Sequence, residues 1–210
     1  MDTSFFVAWM EEIATAVQAQ RDHLTQLDAA IGDADHGSNL DRGFGEVRRA
    51  LTDSPPRTPG GTLVLAGSTL IRKVGGASGP LYGTAFRQMG KSMGETRDIS
   101  LAELSAALDA ALAGVQKLGA AVEGDKTMVD ALAPAVRALA QAVREGAKPE
   151  DALSAVAAAA QEGAKATIPL QARKGRASYL GSRSAGHEDP GAASTALILS
   201  ALRTAGFRTW

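Results

Sequence analysis

The segment Leu27-Asp-Ala-Ala-Ile-Gly-Asp-Ala-Asp-His-Gly-Ser-Asn-Leu-Asp-Arg-Gly43 contains three closely spaced aspartates, Asp28, Asp33 and Asp35. Carboxylates crowded on one loop repel one another, so the arrangement becomes favourable when a cation lies among them. Oxygen ligands of this kind suit Mg²⁺, Mn²⁺ or Ca²⁺ rather than Zn²⁺. An EF-hand is excluded, because the position that would need its glutamate, counted from Asp33, is Phe44. The segment therefore predicts a divalent-cation site, and the alternative is an acidic loop in solvent that caps two helix ends.

The residues around the aspartates predict a loop followed by a helix. Gly32 and Gly37 interrupt any helix there, and Ser38 and Asn39 are good helix-starting residues. A helix that begins directly after the loop points its free N–H groups at an anion. A cation site beside such a helix start predicts a metal–phosphate site, in which His36 either donates to phosphate or holds the loop by a hydrogen bond.

Apolar residues recur at helical spacing along most of the chain, which predicts an all-α protein. A capping box at Ser100 and Glu103 and prolines suited to a first helical turn mark several helix starts. Trp9 and Trp210 are interpreted as packing residues of the core or the terminus. We expect eight helices, over residues 3–23, 38–51, 62–74, 80–93, 100–119, 126–145, 149–168 and 190–205, and a connector over 53–61.

Composition limits the class of protein. The 210 residues suffice for one domain or a tight pair, and 45% hydrophobic residues suffice for an aliphatic core. A net charge of −1 gives no general attraction to nucleic acid or to anionic membranes. The absence of cysteine excludes disulfides, thiolate metal sites and cysteine nucleophiles. No signal peptide or membrane-spanning stretch is apparent, so a cytoplasmic location is expected.

Two further segments could contact phosphate. The small residues of Gly75–Gly79 allow backbone N–H groups to approach an anion closely, although the signal is weak by itself. The long, basic, glycine-rich stretch 168–188 is typical of a functional loop, and its Arg176 could pair with phosphate bidentately. A solvated, mobile loop is the alternative. The standard P-loop is absent, because Gly83 and Gly90 are too far apart in the sequence.

Four motifs in order resemble a known family. They are Gly32-Asp-Ala-Asp-His-Gly-Ser-Asn-Leu40 preceded by Asp28, Gly75-Gly-Ala-Ser-Gly-Pro-Leu-Tyr-Gly83, Gly124-Asp-Lys-Thr-Met-Val-Asp-Ala-Leu132, and the run Arg173-Lys-Gly-Arg-Ala-Ser-Tyr-Leu-Gly-Ser-Arg-Ser-Ala-Gly-His-Glu-Asp-Pro-Gly-Ala192. Together they resemble the DhaL family, the nucleotide-binding subunits of dihydroxyacetone kinase. The resemblance covers essentially the whole chain.

The resemblance implies a fold and a set of site residues. The fold is one nucleotide-binding domain over residues 1–210, a barrel of eight antiparallel helices with the nucleotide at one end. Two Mg²⁺ ions and ADP or ATP are the implied cofactors. Asp28, Asp33 and Asp35 match the metal ligands and, with Arg176, the catalytic set. The implied nucleotide-binding residues are His36, Gly37, Ser38, Asn39, Ala77, Ser78, Gly119, Met128, Arg176, Asp189, Pro190 and Gly191.

The resemblance also implies a reaction and partners. A phosphoryl group passes from Mg-bound nucleotide to dihydroxyacetone held on a separate DhaK subunit, and a DhaM-type phosphotransferase protein recharges the nucleotide. Dependence on phosphoenolpyruvate is favoured over dependence on free ATP, and a homodimer is allowed. The alternatives are an ATP-dependent kinase subunit for another short ketose or tetrose, a nucleotide-binding regulatory module without kinase activity, and a Ca²⁺-stabilised helical domain without nucleotide.

Overall fold

Eight α-helices and one 3₁₀ helix make up the computed structural model, which describes the backbone of residues 1–209 and the side chains of residues 1–206. Trp210 lies outside the described residues. No strand occurs within 1–209, which confirms the all-α prediction, and none of the helices there is long and apolar enough to cross a bilayer. The helices are α1 Thr3–Ile31, α2 His36–Asp53, α3 Pro59–Lys73, α4 Ser78–Met93, α5 Leu101–Gly119, α6 Val129–Arg144, α7 Pro149–Ala166 and α8 Pro190–Thr209, with the 3₁₀ helix Arg176–Ser184 between α7 and α8.

The helices form a closed ring. Each packs against its neighbours in sequence, and α8 returns to α1. The expected barrel is therefore confirmed, and buried apolar side chains from all eight α-helices form one continuous core inside it. Trp9 joins three helices in that core: its Nε1 donates to the carbonyl of Ile198 at 2.9 Å, and its ring meets Phe86 edge-on with centroids 5.5 Å apart. Buried aromatic pairs of this geometry add stability beyond their buried area.

Helix α1 extends further than predicted. It continues past residue 23 to Ile31, because Leu24, Asp28 and Ile31 carry on the buried face of the preceding turns. Asp28 consequently lies in the last turn of a helix rather than in a loop. The loop between α1 and α2 is confined to residues 32–35, much shorter than the aspartate and glycine content suggested.

Helix α2 begins earlier than predicted. Its first residue is His36, its N-cap is Asp35, and Ser38 and Asn39 lie inside its first turn. Gly37 does not break the helix, so that interpretation was wrong. A Cβ at this glycine would lie 2.0 Å from the carbonyl oxygen of Arg21, so the missing side chain allows α2 to approach α1.

The remaining helix ends follow local chemistry. The predicted capping box at α5 is present, with Ser100 N–H donating to Glu103 Oε2 at 2.8 Å and Glu103 N–H donating to Ser100 Oγ at 3.2 Å. Helix α3 starts at Pro59 rather than residue 62, capped by Thr58, and α4 starts at Ser78 rather than residue 80. The predictions for α5 and the start of α7 are confirmed.

Helix α6 starts at Val129 rather than at Lys126. Lys126 has a φ of +63°, in the left-handed region that a helix cannot continue through, and residues 120–128 form turns instead. The helix then runs to Arg144 with Pro134 inside it.

Glycine pairs bring α3 and α4 into backbone contact. A Cβ on Gly67 would lie 2.5 Å from the carbonyl oxygen of Gly83, and a Cβ on Gly90 would lie 2.5 Å from that of Gly60. Real side chains do not approach backbone this closely, so two antiparallel helices touch at two points where neither can carry a side chain. This contact holds the start of α4 in place at the end of the barrel.

Replacing Gly67 with alanine therefore tests the packing of α3 on α4. The added methyl group must displace backbone, and we expect the free energy of unfolding to fall by about 3 kcal/mol, as overpacking does in a tight interface. Gly45→Ala in α2 is the matched control, since a Cβ there meets nothing within 4 Å. It should leave stability unchanged or raise it by up to about 1 kcal/mol, by helix propensity alone. Urea titration of both variants measures the difference, and equal stabilities would contradict the close contact.

Candidate functional site

A cavity of about 290 Å³ lies at one end of the barrel. Its walls come from the α1–α2 turn, the start of α4, the link between α5 and α6, and the segment that precedes α8. In an antiparallel ring these four connections meet at the same end, which is why distant parts of the sequence converge there. One wall is acidic, and another is apolar, with Leu81, Val115, Met128 and Val129.

The three aspartates of the acidic wall form one cluster. Each of Asp28, Asp33 and Asp35 offers a carboxylate oxygen, and these oxygens all lie within 4.8 Å of one another. Asp28 is buried, and its Oδ2 accepts the backbone N–H groups of Asp35 at 2.9 Å and His36 at 3.2 Å. Asp33 and Asp35 are exposed to the cavity side. Two exposed carboxylates beside a buried third one make a donor set of hard oxygens that fits Mg²⁺ or Mn²⁺.

The segment 167–189, hereafter the Arg176 loop, covers this cluster. Arg176, the first residue of the 3₁₀ helix, places its Nη2 3.0 Å from Asp33 Oδ2. Ala172 and Ala177 of the loop pack on Ile31 at the end of α1. The loop thus brings a cation to the carboxylates from across the chain. A functional role for the loop stays a prediction.

His36 joins three elements of the site. Its Nε2 lies 2.8 Å from Ser194 Oγ in α8, and its Nδ1 lies 3.1 Å from Ser78 Oγ at the start of α4. The Ser194 hydroxyl also lies 2.9 Å from the carbonyl oxygen of Pro190, and both ring nitrogens of His36 have a hydroxyl partner. Burial lowers the pKa of His36 below 6.5, against the opposing effect of Asp28 and Asp35. The ring therefore acts as a neutral link between helices.

Tyr82 continues this hydrogen-bonded chain into the core. Its hydroxyl lies 2.6 Å from Ser194 Oγ and 2.9 Å from both Thr195 Oγ1 and the carbonyl oxygen of Gly191. Burial raises the pKa of Tyr82, so the phenol stays protonated. Tyr82 and Ser194 were not predicted as site residues, although Tyr82 lies within the second motif.

Lys126 is the most deeply buried charged residue of the cavity wall, with 1% of its surface exposed. Desolvation lowers the pKa of its ammonium group, and the charges of Asp189 and Asp130 oppose that shift. Sequence reasoning included Lys126 in the third motif but gave it no role. Its Nζ donates to backbone carbonyl oxygens of the Arg176 loop, those of Thr167 at 2.8 Å, Ile168 at 3.4 Å, Leu170 at 3.0 Å and His187.

The turn that carries Lys126 is held by two aspartates. Asp130 accepts the N–H groups of Gly124 at 2.6 Å and Thr127 at 2.8 Å, on either side of the lysine. Asp125 accepts the N–H of Val122 at 3.0 Å. These bonds maintain a left-handed backbone at Lys126 that costs on the order of 1 kcal/mol for a residue with a side chain. Strain of this kind is typical of a functional position.

Asp189 caps α8 from within the cavity wall. Its Oδ2 accepts the N–H of Ala192 at 2.7 Å, and its own N–H donates to Thr167 Oγ1 at 2.9 Å. Burial raises the pKa of Asp189 from 3.8 to about 7, and repulsion from Asp130 adds to the shift, while the Ala192 N–H and Lys126 oppose it. A carboxyl group with such a pKa changes its charge near neutral pH.

The structure brings most of the predicted site residues to one cavity. The residues Gly37, Ser38 and Asn39 of α2 do not line it: Gly37 packs on α1, Ser38 is exposed, and Asn39 accepts a hydrogen bond from Arg42 at 2.6 Å. Contacts of these three with nucleotide stay a prediction. The predicted residues that do line the cavity are Asp28, Asp33, Asp35, His36, Ala77, Ser78, Gly119, Met128, Arg176, Asp189, Pro190 and Gly191.

The raised pKa of Asp189 predicts a pH-dependent stability. The folded state binds a proton more tightly than the unfolded state, so the stabilisation is complete below about pH 4 and is lost as the pH rises through about 7. Relative to Asp189→Asn, the wild-type free energy of unfolding should fall over this interval by up to about 1.4 kcal/mol per pH unit. Denaturant titrations at several pH values, with a chelator present, measure both proteins. If the free energies of unfolding of the two proteins changed with pH in parallel, the pKa of Asp189 would not be raised.

Comparison with known proteins identifies the family of the chain. The family model of the DAK2 domain matches residues 30–204. The chain is 42% identical over 201 residues to the ADP-binding subunit DhaL of the PEP-dependent dihydroxyacetone kinase 1 of Listeria innocua, covering 96% of each chain. It is 41% identical over 199 residues to the ADP-binding subunit DhaL of the PEP-dependent kinase of Escherichia coli K12, covering 95% of each.

A solved structure gives the same architecture. The crystal structure of the dihydroxyacetone kinase from C. freundii in complex with AMP-PNP and Mg²⁺ superposes with a TM-score of 0.71 and 29% identity. The match covers 94% of this chain and 33% of that one. The resemblance seen in the four motifs is thereby confirmed, and the chain belongs to the DAK2 domain family, among the DhaL subunits.

Proposed function

We propose that this chain is the ADP-binding subunit of a phosphoenolpyruvate-dependent dihydroxyacetone kinase, a phosphotransferase that acts with a separate DhaK subunit. The observation that carries the proposal is the cluster of three carboxylates in a cavity that apolar side chains also line, with Arg176 beside the cluster. Near-complete coverage of the DhaL subunits of two bacteria supports the same assignment.

The acidic wall would hold magnesium. Asp28, Asp33 and Asp35 are the candidate ligands, and three carboxylates hold two ions if they bridge between them. The Mg²⁺ and AMP-PNP in the C. freundii kinase support a metal–nucleotide site, and the number of two ions is part of this proposal. When bound, the metal would neutralise phosphate charge and withdraw electrons from the leaving oxygen. Asp28, already fixed by two backbone N–H groups, would set the position of the other two ligands.

The apolar wall would hold the base. Gly119 and Met128 lie there with Leu81 and Val115, and a planar purine ring can replace water against such a surface. Ser78, at the start of α4, also lines the cavity, and its hydroxyl lies 3.1 Å from Nδ1 of His36, the residue that follows Asp35. A phosphate chain would pass there. Free N–H groups at a helix start favour negative charge there.

The residues of the chain would act by positioning and by charge. Phosphoryl transfer needs a fixed cation on the transferring group more than covalent chemistry from the protein. Arg176 is suited to that role, since its guanidinium can leave Asp33 for phosphate oxygens with little loss, the ion pair being largely exposed. In the proposed reaction the acceptor is a hydroxyl of dihydroxyacetone held on DhaK, which would approach the phosphoryl group through the open side of the cavity. A DhaM-type phosphoryl donor and a homodimer of this chain are finer predictions of the same proposal.

Binding of Mg-ADP is the first test. ADP should raise the melting temperature only when Mg²⁺ is present, and Asp33→Asn should abolish that shift by removing a ligand. Asp22→Asn is the matched control, because Asp22 is an exposed carboxylate of α1 that pairs with Arg21. It should keep the full shift in differential scanning fluorimetry. If Mg-ADP left the melting temperature of the wild-type protein unchanged, the proposal would be contradicted.

Transfer to an acceptor is the second test. With purified DhaK, a DhaM-type donor and phosphoenolpyruvate, the wild-type chain should support phosphorylation of dihydroxyacetone. Arg176→Gln should lower the rate by about 100-fold or more, as the loss of a charge-stabilising donor does. Arg183→Gln, an exposed arginine of the same loop beyond the break in the 3₁₀ helix at Gly181, serves as the control and should lower it less than about threefold. Nucleotide binding without any transfer to dihydroxyacetone or to a tetrose would instead indicate a regulatory module.

A further inference from the structure

Lys126 is a buried ammonium group that the mechanism above does not use. The hydrogen bonds of its Nζ go to backbone carbonyl oxygens, so it carries a charge into the cavity wall without giving it to a carboxylate at bonding distance. Burying a charge is costly unless polar groups surround it closely. A lysine at such a position, on a strained backbone, is held there by the rest of the structure.

The acceptors of Lys126 lie at both ends of the Arg176 loop. Thr167, Ile168 and Leu170 enter the loop, and His187 leaves it. One ammonium group therefore closes the base of the loop. Two further hydrogen bonds assist it: Gly186 N–H donates to the Ile168 carbonyl at 2.7 Å, and Asp189 N–H donates to the side-chain Oγ1 of Thr167.

The position of Arg176 depends on this closure. Its side chain is two-thirds exposed, and an exposed ion pair such as that with Asp33 is too weak to order a long loop. Ala172 and Ala177 of the loop pack against Ile31 with Leu180 beside them. Arg173 N–H donates to the carbonyl oxygen of Asp125, in the turn that carries Lys126, at 3.0 Å. The bonds at the base attach the loop to the turn that carries Lys126, and Lys126 itself makes most of them.

We propose that Lys126 is a positioning residue of the site: by binding the carbonyl groups at both ends of the Arg176 loop, its ammonium group sets Arg176 opposite the aspartate cluster. Lys126 acts through Arg176 and does not itself need to contact the phosphates. The inference rests on the proposed function for the identity of the ligand, Mg-ADP, but the closure of the loop is a property of the free protein.

The test compares two variants that are both destabilised. Lys126→Met keeps the length of the side chain and removes the donors. Leu153→Ala leaves a cavity in the core of α7, about 20 Å along the helix axis from the loop. Isothermal titration with Mg-ADP, at a temperature where both are folded, should show Kd raised about 10–100-fold in Lys126→Met. In Leu153→Ala it should change less than about twofold, because the site is intact. Equal Kd values for the two variants would overturn the proposal.

A double-mutant cycle tests the route of the effect. If Lys126 acts through Arg176, adding Lys126→Met to Arg176→Gln should raise Kd by no more than about twofold further. A full additional loss in the Arg176→Gln background would refute the role as a positioning residue. Should Lys126→Met fail to fold, Lys126→Gln keeps two N–H donors and should give a smaller loss in the same direction, whereas an unchanged Kd would count against the proposal.

Hydrogen exchange separates this inference from the proposed function. In the ligand-free protein, Lys126→Met should lose protection of the Ala172 and Gly186 amides, which bond to Ser184 Oγ and the Ile168 carbonyl, and Leu153→Ala should keep it. If the wild-type chain fails to bind Mg-ADP, the proposed function is wrong, but this measurement still tests whether Lys126 closes the base of the Arg176 loop. If the wild-type chain binds Mg-ADP and the two amides keep their protection in Lys126→Met, only the closure of the loop by Lys126 is wrong.

Discussion

The two hydrogen bonds from the backbone of Asp35 and His36 to the buried carboxylate of Asp28 are the constraint on which the site depends. They tie the last turn of α1 to the first turn of α2 across a loop of four residues. The same two bonds fix Asp35 beside Asp28, and the short loop leaves Asp33 little freedom to move away. Crowding of negative charge is thus enforced by backbone geometry, and a cation is the natural means of relieving it.

The fold was largely predictable from the sequence where the signal is local. The capping box of α5 and the proline that opens α7 are complete within a few residues, and both helices begin where those signals placed them. The end of α1 was misplaced because its decisive partner is not local. Asp28 looks like a loop residue beside Gly32 and Asp33, yet its carboxylate accepts N–H groups that arrive only once α2 has formed.

Gly37 and Lys126 show that local sequence alone does not fix the backbone conformation. Gly37 was interpreted as a helix breaker, whereas it is a helical residue that permits contact with the backbone of α1. Lys126 was placed inside a helix by its apolar neighbours, whereas Asp130 holds it in a left-handed turn. Propensity is a weak prior in both cases, and tertiary contacts override it. Gly124 and Asp125, directly before Lys126, were an available signal for the turn.

The candidate site was predictable as a set of motifs but not as an arrangement. Most of the predicted site residues line the cavity, since carboxylates, small residues and arginine in these patterns indicate metal and phosphate binding. Sequence reasoning missed Tyr82 and Ser194, whose hydroxyl groups join His36 to the core. A hydroxyl group in a helix is usually structural, so its type and position alone do not indicate a site. What the residues do together follows from the closed ring of helices, which no single segment encodes.

The paired glycines between α3 and α4 have a consequence for the axial register of the barrel. If either helix slid by one residue, a side chain would face a carbonyl group where Gly60 meets Gly90 or Gly67 meets Gly83. Repulsion of this kind rises far more steeply with displacement than any attraction between apolar side chains falls. The position of Ser78 along the barrel axis is therefore set by steric exclusion at glycines further along α4. Substitutions among the surrounding apolar core residues can leave that position unchanged.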